Sequence, residues 1–168
     1  HPFQTIASRK YDAHLLDSIT YGIDGGEKGI KLAKNIVKAL GGKSVIIPSA
    51  KRQLYHISGV FASNYLLALM SLTDGILSEF ETDIKARRIM LLAIVERSLK
   101  NYFSGDFKNK ITGPIARGDQ ETVLNHINCL KKYDKDLLNL YKGFGAVIQK
   151  KITAKNSKAQ SEIKKLLK

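Results

Sequence analysis

The segment TYGIDGGEKGIKLAKNIVKALGGKSVIIP, residues 20–48, constrains the fold of this chain more than any other stretch. TYGIDG reads as a short strand closed by turn residues. Ile30, Ala33, Ile36, Val37 and Leu40 then recur at helical spacing up to a Gly-Gly stop. KSVIIP is a compact β-branched strand ended by Pro48. Strand, helix and strand in such short succession predict the parallel crossover unit of a doubly wound sheet. Two strands cannot make a stable sheet of that kind alone, so the segment reads as the end of a larger one. The chain opens on HPFQTIA without a methionine, which sets the expectation of further sequence upstream.

From Ser49 onward the pattern turns helical. SAKRQLYHISGVFASNYLLALMSLTDGILSEF carries a cap signal at Ser49 and a middle that is apolar nearly all round, which predicts a buried central helix. TDIKARRIMLLAIVERSLKNYFSG is a second long helix with Thr82 or Asp83 as cap. DQETVLNHINCLKKY is a third, capped by Asp119 and acidic in its first turn, as the helix dipole favours. DKDLLNLYKGFGAVIQKKI is a fourth, and the lysine-rich tail continues as a frayed or docked helix. The expected fold is therefore mainly α. Residues 1–48 form a short α/β remnant, and residues 49–168 form a helical domain with a basic C-terminal tail.

At 168 residues with 43% apolar content, the chain can build a real core. The net charge of +13 invites a polyanion reading, but much of the excess sits in QKKITAKNSKAQSEIKKLLK, where no aromatic residues are interleaved. A lysine-rich solvated surface is the reading adopted, and nucleic acid is not expected as a partner. The single Cys129 excludes an intramolecular disulfide and fits a reducing compartment; it reads as a small core residue. No uninterrupted apolar run reaches the ~18 residues of a membrane span, and no signal peptide is visible. A cytoplasmic protein with no membrane partner is the expectation.

His1, His14, His56 and His126 lie far apart, without HxxxH or CxxC spacing, so no metal is expected. GIDGGEKG has its glycines wrongly placed for GxGxxG, and the chain holds no dinucleotide fingerprint of its own. In LYHISGVFASNYLLAL, however, His56, Gly59 and Ser63 fall at i, i+3 and i+7, with Asn64 flanking them. A polar stripe on an apolar helix needs hydrogen bonds or a cavity. Either Ser63 bonds back to the preceding turn, Asn64 bridges to a loop and His56 is a satisfied interface residue, or the stripe walls a cleft with His56 as proton donor. The loop KITGPIARGD, residues 110–119, poses a similar choice. Arg117 has the geometry to hold a carboxylate, or it pairs with Asp119 or Glu121 to lock the turn.

HPFQT, ALGG before a short strand, YHISGVFASNYLLAL, and ITGPIARGD leading into ETVLNHI together resemble a family of Rossmann-like oxidoreductases. That family is related to pyrroline-5-carboxylate reductase and 6-phosphogluconate dehydrogenase and includes an alternative class of ketopantoate reductase. Its motifs run roughly HPLQ, LYH-x-A-x-V-x-ASN and LTGP-x-x-RGD. The resemblance covers most of residues 1–145. It implies a Rossmann sheet ending near residue 48, an NADP-binding turn upstream of His1, and a 6-phosphogluconate-dehydrogenase-like helical domain that forms a homodimer.

By the same resemblance His56, Asn64 and Ser63 are the catalytic set, with His56 where relatives carry a lysine. Arg117, Thr112 and Gly113 are the substrate-binding set, and His1 and Gln4 lie on the cofactor side. The implied activity is NADPH-dependent reduction of a small 2-ketoacid, ketopantoate to pantoate, in pantothenate and coenzyme A biosynthesis. The chain by itself is expected to be inactive. Two other readings remain: a non-catalytic helical dimerisation or regulatory module, and a basic nucleic-acid-binding module.

Overall fold

The computed structural model describes residues 1–6, 13–105, 110–152 and 158–168. It is mainly helical with one small parallel sheet, and it divides into two compact units, His1–Leu91 and Leu92–Lys168. The sequence boundary at residue 48 marks a change of element type and falls inside the first unit.

In the first unit, strand β1 (Thr20–Ile23) runs parallel to β2 (Lys43–Ile46), with Thr20 opposite Lys43 and Ile23 opposite Ile46. Helix α1 (Glu27–Ala39) makes the crossover and ends at Gly41, whose φ of 67° suits a residue without a side chain. Tyr21, Ile23 and Val37 form the small core, with Ile30, Ala33 and Leu40 packed against it. On the free side of β1 the first residues add an extended segment. Phe3 N–H donates to the Thr20 carbonyl at 2.8 Å, Gly22 N–H donates to the His1 carbonyl at 2.9 Å, and the His1 nitrogen donates back to Gly22. β1 is thus paired on both edges.

Beyond Pro48 a single helical rod covers Ser49–Leu77. It starts with a tight turn at Ser49–Lys51, continues as α2 (Arg52–Val60), passes through a π-helical turn (Phe61–Tyr65) and ends as α3 (Leu66–Leu77). Two sequence expectations are corrected here. Ser49 does not cap the helix; its hydroxyl donates to the Asp24 carboxylate at 3.2 Å, alongside Arg52. Nor is the rod buried: Leu54, Phe61 and Leu67 are 65%, 58% and 68% exposed. All-round apolarity says that a helix wants covering, but not that its own chain supplies the cover. The rod is also long and apolar enough, by length and composition alone, to cross a membrane, because isolated Ser, Asn and Gly residues do not interrupt a helix as they interrupt an apolar run.

Asp83 caps α4 (Ile84–Phe103), accepting from the amides of Lys85 and Ala86. Arg87, buried, donates from Nε to Asp74 at 2.9 Å and from Nη1 to the carbonyls of Glu81 and Thr82, stapling the α3–α4 turn.

The second unit packs α5 (the single turn Pro114–Arg117), α6 (Gln120–Tyr133), α7 (Lys135–Lys151) and α8 (Lys158–Leu166) around Ile115, Val123, Ile127, Ile163 and Leu167. Asp119 caps α6 as expected, accepting from Thr122 N–H at 3.1 Å and from the Thr122 hydroxyl at 2.8 Å. Asp134 caps α7 in the same way, through the amides of Asp136 and Leu137. Cys129 is exposed rather than core, because Val123 and Ile127 hold the inward positions of α6. Of the tail, residues 153–157 lie outside the described set, and α8 is docked through Ile163 and Leu167.

Three carboxylates tie these elements together. The Arg52 guanidinium hydrogen-bonded to Asp24, the Arg87 guanidinium on Asp74, and the Thr122 amide and hydroxyl on Asp119 hold each carboxyl below its usual range. A carboxyl lowered in the folded state stabilises it above the unfolded value of about 3.9, and that contribution is lost as pH falls through the folded value. Thermal melts taken from neutral pH down through the carboxylate range should therefore show a falling midpoint. Asp74→Asn should flatten that acid limb; an acid limb as steep as the wild type's would remove the Asp74–Arg87 pair from the explanation.

Candidate functional site

The first unit carries a cleft of about 730 Å³ between its opening residues and the rod. Five residues singled out in the sequence line it: His1, Gln4, His56, Ser63 and Asn64. Gly59, the middle member of the stripe, lies in the same wall. Its nearest neighbour for an added Cβ would be a Phe3 ring carbon at 3.6 Å, so the glycine leaves ordinary room there.

The two histidines come from different elements and face each other. His1 is held on β1 by its backbone bonds to Gly22, and His56 sits on α2; their ring centroids are 6.4 Å apart and nearly perpendicular. Between strand and helix stands Tyr55, which sequence reasoning passed over although it adjoins His56. Its hydroxyl accepts from Gly22 N–H at 3.1 Å and donates to the His1 carbonyl at 3.4 Å. Its ring packs edge-on against His1 at 5.8 Å and tilted against Phe3 at 5.3 Å. Gly22 makes this possible, since a Cβ there would lie 2.6 Å from the Tyr55 ring.

Of the two readings of the stripe, the self-satisfied one finds no support among the described residues. Ser58 and Thr73, on the same rod, both donate back to the preceding turn, to the Tyr55 and Leu69 carbonyls. Ser63 and Asn64 make no such side-chain bond among the described residues, and neither does His56. Their donors are left facing the cleft. No lysine, arginine or carboxylate stands among the described lining residues, so imidazole, amide and hydroxyl groups supply its polar chemistry. Such a set can donate hydrogen bonds to a neutral acceptor oxygen and move a proton through an imidazole.

The remaining candidates belong to the second unit. Thr112 is exposed and Gly113, at φ 104°, stands before α5. Arg117 ends that turn with its guanidinium 63% exposed and 3.8 Å from the Asp119 carboxylate. That loose pairing matches the turn-locking alternative, while the exposure leaves donors open. Tyr141 meets the exposed His126 ring, with 3.1 Å between Oη and Nδ1. His14 pairs with Asp17. Among the described residues no group of three or more His, Cys, Asp or Glu side chains could hold a metal ion.

Residues 19–148 match a family model described as "Domain of unknown function (DUF2520)". The chain belongs to the DUF2520 family. No curated protein matches it. Among solved structures it is similar to the crystal structure of protein TM1727 from Thermotoga maritima, with 25% identity and a TM-score of 0.76. The match covers 91% of this DUF2520 chain and 60% of TM1727, so the chain spans about three fifths of that protein's length.

Proposed function

We propose that this DUF2520 chain is the C-terminal part of an NADPH-dependent reductase of a small 2-ketoacid, with ketopantoate as the leading substrate and pantothenate synthesis as the setting. One observation carries the reading: His1, Gln4, His56, Ser63 and Asn64, picked from separate sequence motifs, line one cleft. The compatibility of the family with a Rossmann-like NAD(P)-binding fold and the parallel crossover at residues 20–46 support it further.

NADPH would supply the hydride. The donor set at the cleft suits the nicotinamide end of that cofactor better than its pyrophosphate, since His1 and Gln4 offer an imidazole and a carboxamide and no cationic side chain is among the described lining. The Gln4 Oε1 accepts from Thr5 N–H at 2.9 Å, which leaves its NH₂ as donor. Reduction of a carbonyl builds negative charge on oxygen, which needs oriented donors and then a proton. In this reading Ser63 and Asn64 are the donors and His56 delivers the proton. Arg117, with Thr112 and Gly113, is proposed to take the acid's carboxylate. The exposed apolar rod is proposed to be covered by a second copy in a cytoplasmic homodimer, and sedimentation at the 18.7 kDa monomer mass would contradict that part.

The direct test is to follow NADPH oxidation by the full-length protein with ketopantoate, pyruvate and a neutral ketone in parallel. Turnover is expected to be fastest with ketopantoate. No turnover with any carbonyl substrate would leave the reductase reading without support.

A further inference from the structure

We infer that the π-helical turn at Phe61–Tyr65 is a site-forming insertion, one extra residue in the rod that lets Ser63 and Asn64 both present a donor to one acceptor oxygen in the cleft. The oxygen's identity as a substrate carbonyl rests on the reductase reading; the geometry does not.

In a regular α-helix each residue advances about 100°. Ser63, seven residues after His56, would fall about 20° from it, whereas Asn64, eight after, would fall about 80° away. Neighbours in sequence cannot both address a narrow face. Yet Ala62, Ser63 and Asn64, three consecutive residues, all line the cleft with His56. The π-turn accounts for this. A turn holding one residue more sets the residues after it back by about one position, so Asn64 moves toward the angle that a seventh residue would occupy. π-turns are rare and concentrate at functional sites. This one spans the two residues of the rod whose polar side chains have no hydrogen-bond partner among the described residues, while Ser58 before it and Thr73 after it are back-bonded. Two convergent donors left open in this way make a receptor for a carbonyl or alkoxide oxygen.

Single-residue deletions test the idea without disturbing the flanks. Because the rod beyond Leu66 is already set back by one position, removing one residue from Phe61–Tyr65 restores a continuous α-helix and leaves α3 in its present register. Deleting Tyr65 keeps Ser63 on the His56 face and turns Asn64 away. Deleting Ala62 keeps Asn64 there and turns Ser63 away. Both variants of the full chain should melt at or above the wild-type temperature. Both should also lose about tenfold in affinity for ketopantoate, the loss expected for one hydrogen bond, read from the Asn64 side-chain and Ser63 amide NMR shifts.

Unchanged ketopantoate affinity in both deletions would overturn the inference. So would a melting temperature several degrees lower in both, which would make the extra residue a structural need. Failure of ketopantoate to shift any wild-type resonance, with both deletions as stable as wild type or more so, would overturn the substrate reading and uphold the π-turn as a device held at the helix's expense.

Discussion

Ile163→Asp releases the C-terminal helix from the second unit. Ile163 is 0% exposed and packs in one cluster with Ile115, Val123, Ile127 and Leu167. No basic side chain belongs to that cluster, so an aspartate there meets no partner and must neutralise or leave. Truncation to alanine alone would cost about 2–5 kcal/mol, and the buried carboxyl adds to it. Leaving is the easier course. α8 has only nine residues, with basic residues in its last turn, and a helix so short is marginal in water once undocked. The expected result is loss of amide protection throughout Lys158–Leu166, unfolding of the second unit at lower urea, and new proteolytic cleavage at the tail lysines. Full amide protection of α8 in the variant would mean that other contacts dock it.

His56→Ala should lower turnover of the full-length reductase by about 10²–10⁴, the usual range for removing a proton-transfer group, while NADPH binds as before. The side chain is exposed and makes no hydrogen bond among the described residues, so its loss should scarcely move the melting temperature. That separates a chemical role from a structural one. Its aromatic neighbour His1 is fixed by backbone bonds to β1 and not by His56, so the opposite wall should stay where it is. Steady-state kinetics paired with NADPH titration reads the split. Wild-type turnover in the variant would remove His56 from the mechanism.

Local chemistry was the part of this molecule legible in its sequence. The β-branched run KSVIIP, the helical spacing of Ile30 to Leu40 and the Gly41–Gly42 stop are decided within a few residues, and β1, α1 and β2 match them closely. Asp119 caps because its carboxylate reaches an amide three residues on. Ser49 has the same kind of signal, but a carboxylate and a guanidinium from Asp24 and Arg52 compete for it, and that competition is not local. The same holds for the pairing of His1–Phe3 on β1 and for the exposure of Cys129 and the rod. The stripe at His56 was legible as a face, because helical phase is arithmetic. Its π-turn was not, since FASNY carries no residue that forbids a regular α-helix.

The loop that holds Arg117 takes its shape from a distant part of the chain. Gln160 on α8 donates from Nε2 to the carbonyls of Ile115 and Ala116, within the short α5 turn, and accepts in turn from Gln149. Gly118, at φ 75°, lies with the place of its missing Cβ 3.1 Å from the Ala159 methyl. Residues 149, 159 and 160 all lie past the stretch that matches the family, which ends at 148. The arginine's loop is thus common to the family, while the splint that sets it belongs to sequence free to vary. Relatives with a different tail could carry the same motif with its guanidinium aimed elsewhere, so ligand preference could diverge within the family without one substitution in the loop itself.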